Sequence, residues 1–322
     1  MSERVRSLRD ISQIAVIGAG LMGHGIAQVF SQNNYFVTLY DLGRPILEKA
    51  LSQIRSNLET FVEVGVETRE RIGEVLSRIH TTVDLKEALK GAHFVIEAAP
   101  EDLELKMGLF EQLDRYCPEE TILASNTSTF PSSEIGRKVE KKERLIVTHW
   151  FNPPHIVPAV EVVRGEGTSE EVFRLCYELM KKIGKKPIKV LKDVPGFLIN
   201  RIQTAMFREI LFLLEQGVAE PEDIDAGVTG SFGFRLAVSG PLKTVDMAGL
   251  HLWYMGIQNL TPFLNCSTEV PKILKEKMER GELGLKTGKG FFRYKKEEAP
   301  ALSELSKDRD KKLLTLLKLL SN

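Results

Sequence analysis

Cysteine is scarce in this 322-residue chain. Cys117, Cys176 and Cys266 are scattered, without the paired spacing of a zinc site or the density of a disulfide framework. Reduced thiols and no resident metal are therefore expected. Long apolar runs are missing too: none approaches the ~18 residues of a membrane span. The opening MSERVRSLRD lacks the apolar core of a secretory signal. A cytoplasmic protein with no membrane partner is the expectation. Charge of one sign is also absent, with 44 basic against 44 acidic residues. That balance leaves no basic field for nucleic acid and no acidic tail for a cationic partner. No internal repeat or low-complexity tract is visible.

What is present begins with QIAVIGAGLMGHGIAQ, residues 13–28. Ile14 to Ile17 form a short unbroken apolar run, as a strand buried on both faces of a parallel sheet should. The run enters Gly18-x-Gly20-x-x-Gly23 and then a helix-forming segment. Gly18 permits the tight turn, Gly20 lets backbone approach a pyrophosphate, and Gly23 lets helix and strand pack closely. Leu21 and Met22 complete the turn, and the helix N-terminus supplies free N–H groups for the phosphates. A glycine-rich turn without a ligand would give the same triplet. The strand–turn–helix context and a second strand, Tyr35 to Tyr40, ending in Asp41 favour a dinucleotide. A carboxylate about 20 residues on accepts from a ribose 2′-OH and repels a 2′-phosphate, so NAD is expected over NADP. Arg44, close by, softens that preference.

Strands and helices alternate as far as Pro187 to Leu191, which implies a doubly wound sheet with helices on both faces. Asp102 is expected to cap the helix Leu103 to Tyr116, and Thr168-x-x-Glu171 reads as a capping box. From Pro195 onward long amphipathic helical stretches take over, among them Phe197 to Gln216 and Val245 to Leu264. The chain is thus expected to be α/β, a Rossmann-like sheet domain over residues 1–193 followed by an all-α domain over 194–322. The wide apolar faces of the second domain suit a homodimer, or closure within one chain. The leucine-rich segment Leu313 to Leu320, after a charged linker from Ala301, is expected to dock on the body or on a partner.

Ligands of open parallel sheets sit beyond the carboxyl ends of the strands. Ser125, Asn126 and Ser128 follow one strand there, and His149 ends another before Asn152-Pro153-Pro154. Glu161 lies in an otherwise apolar strand, where a carboxylate is costly unless paired. A histidine returned alongside it would make a catalytic base, with the acid fixing the tautomer. An exposed Glu161 beside a structural histidine fits the pattern equally well. His24 reads as a helix N-terminal side chain, and His155 stands as a candidate to face substrate. His80, His93 and His251 read as structural, and Lys286 and Lys289 as a solvated basic loop.

ILASNTST, HWFNPP with PAVEVV, PGFLINR and GLKTGKGFFRY together resemble the NAD-dependent L-3-hydroxyacyl-CoA dehydrogenase family, including its lambda-crystallin (L-gulonate 3-dehydrogenase) branch. The resemblance runs from about Ile14 to Tyr294. It implies a small-molecule substrate, with His149 as general base on its hydroxyl and Glu161 as the orienting carboxylate. Ser128 matches the serine that hydrogen-bonds the reacting oxygen, and Asn200 the asparagine that completes the substrate contacts. Glu101 and Lys106, in PEDLELK, match residues lining the cofactor, and Asn126 sits in the same site.

The substrate is where the chain departs from the family. Its acyl-CoA members carry lysines after the second strand for CoA phosphates, whereas residues 57–63 here, NLETFVE, offer acids. PEDLELK and the double proline lean toward free hydroxy acids. Gly240-Pro241 and Val245 to Leu250 lean toward a 3-hydroxyacyl-CoA. A catalytically silent, crystallin-like NAD-binding protein is the competing class. The intact Ser128, His149, Glu161 and Asn200 set argues against it.

Overall fold

The computed structural model describes residues 7–294 and 299–321. The chain forms two compact units, residues 1–200 with 308–322, and residues 201–307. In the first, β1 (Gln13–Ile17), α1 (Gly23–Gln32), β2 (Phe36–Tyr40), α2 (Arg44–Glu63), α3 (Arg69–Ser77) and β3 (Ile79–Thr82) come first. They are followed by α4 (Leu85–Leu89), β4 (Phe94–Glu97), α5 (Leu103–Tyr116), β5 (Ile122–Ser125), α6 (Ser132–Ile135) and β6 (Leu145–Trp150). The alternation ends with β7 (Ala159–Val163), α7 (Glu170–Lys182) and β8 (Lys186–Val190).

Among the described residues these strands make one eight-stranded sheet in the order β3-β2-β1-β4-β5-β6-β7-β8. The pairings are parallel except β6 with β7, which is antiparallel. Strands β4, β5 and β6 are buried at every position, which is why their sequences read as apolar runs rather than alternations. Successive residues still point to opposite faces. Val16, Phe94 and Ile96 pack with Phe30, Ile54 and Leu179 on one side. Ala15, Val95 and Leu123 pack with Phe110 and Leu113 on the other. Asp102 caps α5 as expected, accepting from the Leu105 N–H at 2.8 Å.

Three local expectations are corrected. Thr168 does not open α7: Ser169 is its N-cap, accepting from Val172 N–H. The Thr168 hydroxyl instead donates to the Leu145 carbonyl and accepts from Gly165 N–H, tying the loop to β6. The stretch Val245 to Leu264 is not one helix, because Gly249 adopts φ 99°, a left-handed value that ends one helix and starts another. The charged stretch after Ala301 is not a linker but part of a helix running Ala299–Ser321.

The second unit holds most of α8 (Ile199–Glu215), then α9 (Pro221–Gly230), α10 (Phe232–Leu236), α11 (Pro241–Ala248), α12 (Leu250–Leu260) and α13 (Lys272–Glu279). Among its described residues none is buried. The last helix, α14 (Ala299–Ser321), has residues from 308 onward grouped with the first unit. Leu314 is the reason: it is buried against Phe61 and Ile156, with Leu313 and Val64 alongside.

Lys185, directly after the turn that ends α7, is buried with carbonyls as its hydrogen-bond acceptors. Its ammonium donates to Pro154 O at 2.5 Å and Val157 O at 2.8 Å, which fixes the loop between β6 and β7. Burial lowers its pKa from 10.5 to about 7. In the unfolded chain the amine keeps its proton across the window from about 7 to 10.5, where the folded chain has released it. The unfolded state therefore binds more protons there, and this group favours folding increasingly as pH rises. Urea unfolding of wild type and Lys185→Met should show a stability difference shifting toward wild type from about pH 7 to about pH 10. A pH-independent difference would contradict the assignment.

Candidate active site

The carboxyl ends of β1, β4, β5 and β6 bring the chemistry-bearing residues of the first unit together. At the end of β1, Gly18 adopts φ 104°, and a Cβ there would lie 2.6 Å from the Ala98 carbonyl oxygen. A Cβ on Gly23 would lie 1.7 Å from the Gly18 carbonyl oxygen. At Gly20 a Cβ would meet no protein atom within 4 Å. Two glycines are thus demanded by the fold, while Gly20 leaves space above the turn for a ligand's backbone contact. Leu21, between them, is 67 % exposed, and Met22 packs partly on the core at the start of α1. Asp41 accepts from Ala19 N–H at 2.8 Å and Leu42 N–H at 2.7 Å, so its carboxylate is pinned beside the turn. This donor-rich turn with a fixed acid fits the pyrophosphate and ribose of NAD.

Below the next loop lies a polar network around Glu97, a residue not singled out from the sequence. Glu97, the last residue of β4, is fully buried. It accepts from Lys106 Nζ at 2.7 Å, Ala99 N–H at 2.7 Å and Ser125 Oγ at 2.5 Å. Lys106, also fully buried, lies 3.3 Å from Glu101 Oε2. Glu101 Oε1 gathers the Thr127 hydroxyl at 2.7 Å and the Ser128 N–H at 2.8 Å. It also accepts from the N–H and hydroxyl of Thr129, at 3.0 and 2.9 Å. Burial raises the Glu101 pKa, but the Thr127 hydroxyl, the Lys106 charge, the Ser128 N–H and the Thr129 hydroxyl together outweigh it and hold the carboxyl below its usual value. Lys106 is therefore sealed between two acids, while Glu101 shapes the loop of Asn126 and Ser128. Asn126 Oδ1 accepts from Trp150 N–H at 2.9 Å, joining that loop to β6.

His149 and Glu161 face each other as register partners across the antiparallel β6–β7 pair. His149 Nδ1 lies 2.7 Å from Glu161 Oε2, with side-chain exposures of 4 % and 0 %. The carboxylate has only acceptors, so Nδ1 carries a proton, and in the neutral ring the lone pair is on Nε2. Glu161 Oε1 accepts from Leu198 N–H at 3.0 Å and Ile199 N–H at 2.9 Å, at the start of α8. Phe151 and Phe197 flank the imidazole, with ring centroids at 4.6 and 5.7 Å. Asn200 Nδ2 donates to the Ser128 carbonyl at 2.9 Å, so the residue after Ile199 reaches the β5 loop.

Phe197 was also missed. It sits at φ 51°, where a bulky side chain is strained, and the turn it completes aims two amides at Glu161. The neighbouring positive-φ Gly196 in PGFLIN was the available signal. His155 does not join His149: it packs against Phe61 and His24, ring centroids 6.0 and 6.2 Å away. His93 Nδ1 accepts from Ser12 and Gln13 N–H, and exposed His80 pairs with Glu87. Burial raises the Cys117 thiol to about 12, which rules out a thiolate nucleophile near neutral pH. No metal-ligand cluster occurs among the described residues.

Comparison with known proteins gives concordant matches. The family model described as 3-hydroxyacyl-CoA dehydrogenase, NAD binding domain, matches residues 13–194, and its C-terminal domain counterpart matches residues 196–294. The 5-formyl-3-hydroxy-2-methylpyridine 4-carboxylate 5-dehydrogenase of Mesorhizobium japonicum is 34 % identical over 310 residues, 96 % of this chain and 98 % of that one. A probable 3-hydroxybutyryl-CoA dehydrogenase of Bacillus subtilis is 36 % identical over 289 residues, covering 89 % of this chain and 99 % of its own. A crystal structure of a 5-formyl-3-hydroxy-2-methylpyridine 4-carboxylic acid 5-dehydrogenase, an NAD-dependent dismutase, superposes with TM-score 0.90 at 33 % identity. That match covers 97 % of this chain and 99 % of the other.

The glycines separate folding from ligand fit. Gly20→Ala should leave thermal stability within about 0.5 kcal/mol of wild type while weakening NADH binding at least about tenfold in a fluorescence titration. Gly23→Ala should lose about 2 kcal/mol or more of stability as well, through overpacking. Unaltered NADH affinity in Gly20→Ala would remove that residue from the cofactor turn.

Proposed function

Since the chain belongs to the NAD-dependent 3-hydroxyacyl-CoA dehydrogenase family, we propose that it interconverts an L-3-hydroxyacyl-CoA and the 3-ketoacyl-CoA. The observation that carries this reading is the buried His149–Glu161 pair with Nε2 unspent. When bound, NAD supplies a hydride acceptor. The chain's own part is to hold the alcohol and move its proton. His149 Nε2 takes the proton of the substrate hydroxyl, and Glu161 stabilises the imidazolium that results while keeping the ring in one tautomer. The Ser128 hydroxyl donates to the reacting oxygen, and Asn200 holds the Ser128 backbone in place while offering its second N–H to substrate. In the reverse direction His149 returns the proton to the carbonyl oxygen.

A second substrate reading, a small hydroxy acid without CoA, is supported by α14. It packs on the end of α2, and Lys311 there pairs with Glu63 at 2.7 Å. That lysine is thus engaged with an acid rather than free for a CoA phosphate. The Mesorhizobium relative, which matches nearly the full chain, is named for a pyridine carboxylate.

His149→Gln should retain NADH affinity and lower turnover by about two orders of magnitude or more. Undiminished turnover would take His149 out of the mechanism. Saturable NADH formation with 3-hydroxybutyryl-CoA, and none with 3-hydroxybutyrate, gulonate, carnitine or hydroxymethyl-pyridine carboxylates, supports the thioester. The opposite pattern selects the free acid, and activity with no substrate supports the crystallin-like role.

The helical unit points further to a homodimer. Leu242, Met247, Tyr254, Ile257 and Phe263 are 60 to 80 % exposed, far more apolar surface than water tolerates cheaply. A second copy covering these faces should give a dimer mass in light scattering. Ile257→Asp should shift it toward monomer, and a wild-type monomer at micromolar concentration would refute the dimer.

A further inference from the structure

Helix α14 lies outside the segment matched by the family models, which ends at residue 294. Its contacts lead, step by step, to the cofactor turn. Leu314, 1 % exposed, seats on Phe61 and Ile156. Lys311 pairs with Glu63, and Lys318 Nζ reaches the Gly65 carbonyl at 3.5 Å. Leu317 closes one side of a cavity of about 220 Å³ that His155, Ile156 and Lys185 also line. Phe61 is therefore held from outside by α14, and His155 is reached through its ring contact with Phe61.

From His155 the path continues inward. A Cβ on Gly25 would lie 2.7 Å from Pro154 Cγ and 2.9 Å from His155 Nδ1, so the start of α1 is in direct contact with this loop. The His155 ring faces His24, which is buried at the first turn of α1. His24 Nδ1 lies 2.8 Å from the Gly20 carbonyl oxygen. A carbonyl can only accept, so Nδ1 is the donor. Burial lowers the pKa of both rings, that of His155 to about 3, which favours their neutral forms. Two neutral rings can touch without the repulsion that two imidazolium ions would bring.

We propose that α14 acts on cofactor affinity: by clamping His155 against His24 it fixes the Gly20 peptide, and so the dinucleotide turn, in the shape that receives the pyrophosphate. His24 is thereby a positioning residue, acting through the Gly20 carbonyl. Without α14 the loop 153–157 and His24 lose their outer support, the turn samples other shapes, and binding must reorder it. This inference rests on NAD binding and not on either substrate reading.

The test uses the full-length chain with Leu314→Asp, His24→Leu and the double variant. Each single variant should weaken NADH binding about tenfold in a fluorescence titration. The double variant should also weaken it about tenfold, not a hundredfold, because both changes break one path. Turnover of Leu314→Asp at saturating NAD should stay within about twofold, and amide exchange of residues 18–25 in the cofactor-free protein should speed up in all three variants. If Leu314→Asp does not fold, Lys311→Glu should weaken binding about threefold, and the swap Lys311→Glu with Glu63→Lys should restore it. Wild-type affinity in folded Leu314→Asp, multiplying losses in the double variant, or unchanged amide exchange would each overturn the proposal. Failure of wild type to bind NADH would instead overturn the dehydrogenase reading itself.

Discussion

The placement of one buried carboxylate governs the site. Glu161 sits in the interior of a sheet, where an unpaired charge would cost several kcal/mol, and three donors answer it: one imidazole and two backbone amides. The antiparallel turn of β7 against β6 is what puts His149 opposite it, in register. A one-residue slip in that pairing would send the two side chains to opposite faces of the sheet. Leu198 and Ile199 are aimed at the remaining oxygen by a strained Phe197, so the start of α8 is set by the needs of an acid in another element. Asn200 then reaches the Ser128 backbone as a consequence of the same geometry.

A second buried acid performs similar work under the neighbouring strands. Glu97 receives Lys106, Ser125 and a backbone amide, and Glu101 receives Lys106, the Thr127 hydroxyl and the backbone amides of Ser128 and Thr129. The loop between β5 and α6 is therefore held from its root and its tip by charge-assisted hydrogen bonds, which are stronger than neutral ones. Fully satisfied networks of this kind rigidify what they touch. Asn126 and Ser128 are presented by a scaffold that has little freedom to move away.

Much of this was legible in the chain because local chemistry and global fold agree there. Apolar runs ending in glycine, serine or histidine located the strands, and Gly18, Gly20, Gly23 and Asp41 located the turn. The cost of an acid among Ala159, Val160, Val162 and Val163 left the pairing of His149 with Glu161 open, and the family resemblance favoured it. What escaped was set by tertiary partners. Thr168 and Ser169 are both good caps, and only the Leu145 carbonyl decides which is diverted. Glu97 looks like an ordinary strand end until Lys106 folds back over it. The break at Gly249 is a backbone choice that helical periodicity on either side conceals. His155 follows β6 in sequence yet belongs to the side on which α14 packs.

The first unit is discontinuous along the chain, residues 1–200 being joined by residues 308–322 after the whole helical unit has intervened. During vectorial synthesis the ribosome therefore releases the sheet and its dinucleotide turn long before the segment that covers Phe61 and Ile156. A nascent polypeptide stalled within the helical unit carries that apolar patch bare, exposed to chaperones and to neighbouring chains, and maturation of this surface waits for late translation.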